Sequence, residues 1–129
     1  MTIAITDANI FIDLIELDLI THLFEIELHV QTTTAVILEL HPHQSNKLKP
    51  YINTGKLTLR SLTSENETQI SCTEFNKGFS ETDKTLLFFC QADQLLMITG
   101  ESLMRKYCHK CGLEVRGIIW LFDSFVSIR

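Results

Sequence analysis

Basic residues are in short supply: 11 lysines and arginines stand against 16 aspartates and glutamates, for a formal net charge of -5. That excludes the strongly basic footprint of an ordinary nucleic-acid binder, although a cluster of cation-binding acids would itself push the balance this way. No uninterrupted apolar run reaches the ~18 residues that a membrane span needs. Cys72, Cys90, Cys108 and Cys111 are too few and too irregularly spaced for a secreted disulfide framework. No basic leader or small-residue cleavage site precedes the first apolar run, so the chain is expected in the cytoplasm with its thiols reduced. Internal repeats, low-complexity tracts and interdomain linkers are also lacking.

What is present fits one packed unit. With 129 residues, 45% hydrophobic and 21% charged, the chain is read as a single domain over 1–129, of a size that buries roughly two-thirds of its unfolded surface.

Residues 2–6 read as a buried strand and 9–17 as a helix with Ile10, Leu14 and Leu17 on one face, Phe11 and Ile15 beside them. Asp18 is the expected N-cap of a second helix carrying Leu19, Leu23 and Ile26. Residues 27–31 alternate as a short strand does, and Thr32 to Thr34 are expected to break it before a helix with Val36, Ile37 and Leu40. The polar stretch 41–55, with Pro42 and Pro50, is expected to be a loop or a poorly formed helix. Residues 57–62 alternate again, and Thr63 or Ser64 caps a polar helix that ends by 76–78. Ser80, with Asp83 three residues on, starts a helix so apolar that it belongs in the interior. Residues 95–99 form the uninterrupted strand of a sheet centre. Gly100 is expected to allow a tight turn into a helix through Lys110, which Gly112 closes. Residues 113–115 and 118–126 supply the last strand and helix. Strands alternating with helices predict an α/β fold with a mostly parallel sheet covered on both faces.

Four acids fall where these elements meet: Asp7 after the first strand, Glu39 after 34–38, Asp83 opening 84–87, and Glu101 just after 95–100. In open α/β sheets ligands gather just outside the strands' C-terminal ends, and Asp7 is expected to face solvent there. Acids converging on one cleft repel one another, which implies a bound cation. Each also has a plainer use. Asp7 suits an N-cap, Glu39 a solvated helix end, Asp83 a capping box, and Glu101 a first helical turn where the dipole favours an acid. Glu81 is a neighbouring competitor for a cation.

Cys108 and Cys111 have the spacing of half a zinc site, but four ligands are needed and no second pair exists, so they are assigned to a helix end. His41 and His43 are read as loop residues. Lys84, Arg105, Lys106 and Arg116 either hold a nucleic-acid backbone or form ordinary solvated surface. Phe88, Phe89, Trp120 and Phe122 are expected in the core or at a dimer interface.

Taken in order, Ile5-Thr6-Asp7-Ala8-Asn9-Ile10-Phe11-Ile12, Val36-Ile37-Leu38-Glu39-Leu40, the block from Ser80 to Leu87, Ile98-Thr99-Gly100-Glu101 and the block from Gly112 to Gly117 resemble the PIN-domain family. The likeness is to small bacterial members that include VapC-type toxin ribonucleases, and it covers nearly the whole chain. It implies a three-layer α/β/α sandwich whose acidic cluster binds Mg2+ or Mn2+ and hydrolyses RNA phosphodiester bonds. By that resemblance Asp7, Glu39 and Asp83 are the first three acids and Glu101 stands where an aspartate is usual. Thr99 and Asn9 match polar residues beside them. A homodimer and a small antitoxin-like partner are implied with it.

Two departures bear on activity. The extra methylene of Glu101 moves its oxygens by over ~1 Å, and misplacement on that scale costs up to ~100-fold in rate. The chain also stops shortly after 120–126, where many relatives continue. A PIN-like protein that binds RNA or a partner without cutting is therefore the second expectation. Cleavage of DNA or of a flap structure is the third.

Overall fold

The computed structural model describes residues 1–127. Five strands form one sheet: β1 (Thr2–Thr6), β2 (Leu28–Thr33), β3 (Leu57–Arg60), β4 (Leu96–Ile98) and β5 (Val115–Arg116). Every pairing is parallel and the order is β3-β2-β1-β4-β5. The chain winds outward from β1 through β2 to β3, then crosses back to build β4 and β5 on the other side. The C-terminal ends of β1 and β4 are thus neighbours at the point where strand order reverses, which is where ligands bind in open α/β sheets. Ala4, Ile5, Val30, Met97 and Ile98 are fully buried, as strands covered on both faces require.

Between β1 and β2 lie α1 (Ala8–Glu16) and α2 (Ile20–Leu23); between β2 and β3, α3 (Thr34–Glu39) and α4 (Pro42–Asn53). The return crossing carries α5 (Ser64–Ser71) and α6 (Glu81–Asp93), and α7 (Ser102–Lys110) joins β4 to β5 before α8 (Ile118–Ser127). Helix α1 packs on α2, α3 and α4, and α2 on α8, while α6 covers β1 and β2 and α7 lies on β5. The result is the three-layer α/β/α sandwich. No described helix is long and apolar enough to cross a membrane.

Several local readings are corrected. Asp18 caps nothing: it sits at φ 58°, with Leu19 N–H donating to the Leu14 carbonyl and Asp18 N–H to that of Ile15. That is a left-handed helix ending, in which Asp18 closes α1 and sends Leu17 into solvent. Thr32 and Thr33 continue β2, because β-branched residues suit a strand and the Thr32 hydroxyl donates to the Thr6 carbonyl at 2.8 Å. Residues 42–53 are a regular helix. Pro42 stands in its first turn, the Gln44 amide oxygen accepts the His41 N–H at 2.9 Å, and Leu48 is fully buried. His41 and His43 therefore flank a helix N-terminus, with rings stacked 5.9 Å apart. Gly100 takes no left-handed turn, whereas Gly112 does, at φ 72°.

Candidate active site

At the end of β1, Asp7 adopts extended backbone geometry and caps α1, its Oδ1 accepting the Ile10 N–H at 3.1 Å. Its Oδ2 accepts the Thr99 hydroxyl at 2.5 Å. The sequence reading put Asp7 in solvent, but only 4% of it is exposed, because α1 and the end of β4 close over it. Its capping role and its place in the cleft coexist.

Thr99 follows the last residue of β4 and is itself fully buried. Its hydroxyl oxygen also accepts the Glu101 N–H at 3.2 Å, so one side chain ties the first acid to the backbone of the fourth. Glu101 then turns its Oε1 to the Asn9 amide at 3.3 Å. Asn9, in the first turn of α1, and Thr99, just after β4, thus bracket the β1–β4 junction.

Asp83 reaches the cleft on the first turn of α6. The Ser80 hydroxyl accepts the Asp83 N–H at 3.0 Å and Asp83 Oδ2 accepts the Ser80 N–H at 3.1 Å, the reciprocal box expected from the sequence. A contact absent from the sequence reading anchors that turn to the sheet: the Thr33 and Thr85 hydroxyls meet at 2.9 Å. Glu39, the last residue of α3, is exposed at the rim.

The acids also act on one another electrostatically. Burial pushes the Asp7 carboxyl above its ordinary range, the bonds from Thr99 and Ile10 oppose this, and the charges of Asp83 and Asp13 add to it. Burial likewise raises Glu101, with further contributions from Asp83, Asp7 and Glu39 and an opposing one from Asn9. Asp13, which sequence reasoning missed, lines a hollow of about 310 Å³ with Asn9, Ile10, Gly100, Glu101 and Ile118. Its spacing of four from Asn9 on an exposed helix face was the available signal. A larger hollow of about 480 Å³ lies at the opposite, N-terminal edge of the sheet, away from these acids.

The donors are carboxylates with a hydroxyl and an amide, an all-oxygen set suited to a hard divalent cation. Among the described residues no three His, Cys, Asp or Glu side chains close on a common point as a ready-made cage. Magnesium keeps several waters and takes only one or two carboxylates directly, so Asp7 and Glu101 at the β1–β4 junction are the residues that could hold it. The carboxylates raised by burial and mutual repulsion are the groups a cation would relieve.

The remaining candidates stand apart from this chemistry. Glu81 is exposed and paired with Lys84 at 3.2 Å. Cys111 caps the C-terminus of α7, and Cys108 is a buried free thiol near Cys90; the Cys90 thiol donates to the Leu95 carbonyl at 3.2 Å, and the nearby Cys108, with burial, pushes it up. Phe89 is core, and Phe88, Trp120 and Phe122 pack against the core half-buried.

A family model described as a PIN domain matches residues 3–127. This chain belongs to the PIN-domain family. Two solved PIN-like structures share its fold. One, a PilT N-terminus domain protein from the hyperthermophilic archaeon Sulfolobus solfataricus P2, is 12% identical, with a TM-score of 0.67 over 96% of this chain and 93% of that one. The other is VapBC2 from Rickettsia felis, bound to a DNA fragment from their promoter, 12% identical with a TM-score of 0.53 over 90% of this chain and 98% of that one. No curated protein matches the chain.

Proposed function

We propose that this PIN domain is a metal-dependent endoribonuclease, the toxin-like member of a pair with a small antitoxin-like protein, working in the cytoplasm as a homodimer. PIN domains are generally nucleases. The observation that supports the reading is the Asp7–Thr99–Glu101–Asn9 linkage at the β1–β4 switch point, with Asp83 and Glu39 near enough to contribute to raising Glu101. The VapBC2 likeness supports a partner protein.

Within that reading Asp7, Asp83 and Glu101 hold Mg2+ or Mn2+, with Glu39 at the rim. A divalent cation, when bound, makes water a better nucleophile and offsets charge on the phosphate oxygens. The chain's own residues supply position. Thr99 fixes Oδ2 of Asp7 and leaves that carboxylate's remaining lone pairs to the cleft. Asn9 pins Oε1 of Glu101, which restrains the longer side chain that replaces the usual aspartate. Ser80 sets the rotamer of Asp83.

The test is cleavage of single-stranded and structured RNA with Mg2+ or Mn2+, alongside Asp7→Asn and Asp83→Asn. Activity in the parent and its loss in both variants is the expected result; cleavage that persists in both removes the assignment. A non-cutting RNA or partner binder is the second reading, favoured by Glu101 and the open arrangement of acids. Calorimetric titration with Mn2+ separates the two, since no binding at millimolar ion selects the second.

A further inference from the structure

Arg105, on α7, lies beside the acidic cleft without joining it. Glu101 stands four residues earlier on the same face, and the Arg105 N–H bonds its carbonyl. Yet among the described residues Arg105 makes no ion pair with Glu101 or any other acid; the pairs present are Arg60 with Asp93 and Lys84 with Glu81. The guanidinium instead rests on Gly117, just after β5. A Cβ at Gly117 would stand 2.9 Å from Arg105 Nη1 and 3.8 Å from the Thr99 carbonyl oxygen. The missing side chain at Gly117 is therefore the space the guanidinium occupies, against the strand end that also carries the Asp7 partner. Arg116 ends β5 level with Ile98, its Nη1 donating to the Val115 carbonyl at 3.0 Å, also without an acid partner.

We infer that Arg105, seated in the Gly117 notch with Arg116 beside it, is a phosphodiester-backbone subsite, so that a nucleic-acid strand crosses the cleft on its β4–β5 side. Resting on the nuclease reading, this assigns the direction of approach. Acids alone would repel the strand, and a planar guanidinium free of any acid partner is suited to bidentate phosphate contact. Among the described residues Arg105 and Arg116 flank the switch point without an acid partner, so attraction for a phosphate is placed there.

The experiment is fluorescence anisotropy of a short labelled single-stranded RNA, and of a DNA of the same sequence, in EDTA on an Asp7→Asn background of the full chain. Arg105→Ala is expected to weaken binding about tenfold or more and to lower the slope of log K against log salt by about 0.7 per lost contact, equally for both strands. Gly117→Ala, which displaces only the flexible end of Arg105, is expected to give part of that loss with an unchanged melting temperature, and nothing further when combined with Arg105→Ala. Whichever strand binds tighter in the reference protein is the favoured substrate. Unchanged affinity and slope in Arg105→Ala overturn the inference, while cleavage and metal binding leave the nuclease reading standing. A loss confined to RNA overturns the phosphate assignment in favour of a sugar contact. Failure of the reference protein to bind either strand at low salt overturns this inference and the nucleic-acid reading together.

Discussion

Asp7 carries two incompatible demands in one buried carboxylate. Its ionised form is welcome to the Thr99 and Ile10 donors and unwelcome to its buried surroundings, and burial is the largest effect. A carboxyl raised in the folded state lets the native protein hold protons that the unfolded chain has released, so stability is full below the ordinary aspartate range and declines as pH rises through the raised value. In EDTA, Asp7→Asn is therefore expected to raise the melting temperature at neutral pH, with the gain vanishing as pH falls below about 4; thermal melts across pH check it, and a loss at neutral pH would contradict the burial argument. Thr99→Val removes the 2.5 Å donor and is expected to destabilise by about 1.5–3 kcal/mol, read by urea unfolding. Glu101 loses its backbone tie in the same variant, so Mn2+ affinity should fall with stability.

At the scale of the element, the first turn of α6 does two jobs that substitution can separate. Ser80→Ala removes the acceptor for the Asp83 N–H and is expected to cost about 1 kcal/mol of stability. Asp83→Asn keeps an acceptor for the Ser80 N–H and should change stability little while reducing Mn2+ binding, a contrast that calorimetry and urea unfolding record together. This turn was legible in the sequence because S-x-x-D before an apolar run has only one common use. So was β4, whose unbroken apolar run reads as a strand buried on both faces. Helix α4 was not: its residues are polar, Pro50 lies inside it, and its stability comes from a capped start and buried Leu48 rather than from periodicity. Asp18 was misread because an aspartate after an apolar helix serves equally as a start or as a left-handed stop, and only the Leu19 to Leu14 bond decides. The Thr33–Thr85 contact joins residues from two elements that no local pattern relates.

For the whole molecule, the acidic cleft is a cost of the metal-free state that ion binding should offset. Mn2+ at a hundredfold excess over its Kd adds about 2.7 kcal/mol by mass action, which is a rise of several degrees in melting temperature for a chain of this size. The rise is expected in the parent protein and should be absent in the Asp7→Asn, Asp83→Asn double variant; an equal rise in both would place the ion elsewhere. The sequence suggested that the acids meet in one cleft from their positions at the ends of elements, but not which strands would lie side by side. What sets Asp7 beside Thr99 and Glu101 is the strand order, in which β1 lies between β2 and β4, a long-range pairing that no single segment encodes.

That order has a temporal consequence. β1 is made first and gains its β4 neighbour only after the long excursion through β2, β3, α5 and α6. A chain emerging from the ribosome holds Asp7 and Glu39 early, but without residues 96–101 it has neither the hydroxyl that orients Asp7 nor the Glu101 carboxylate. A polypeptide that lacks residues 96–101 therefore cannot link Asp7 to Thr99 or bring Glu101 to Asn9, so this part of the cleft forms only after α6 and β4 have been made.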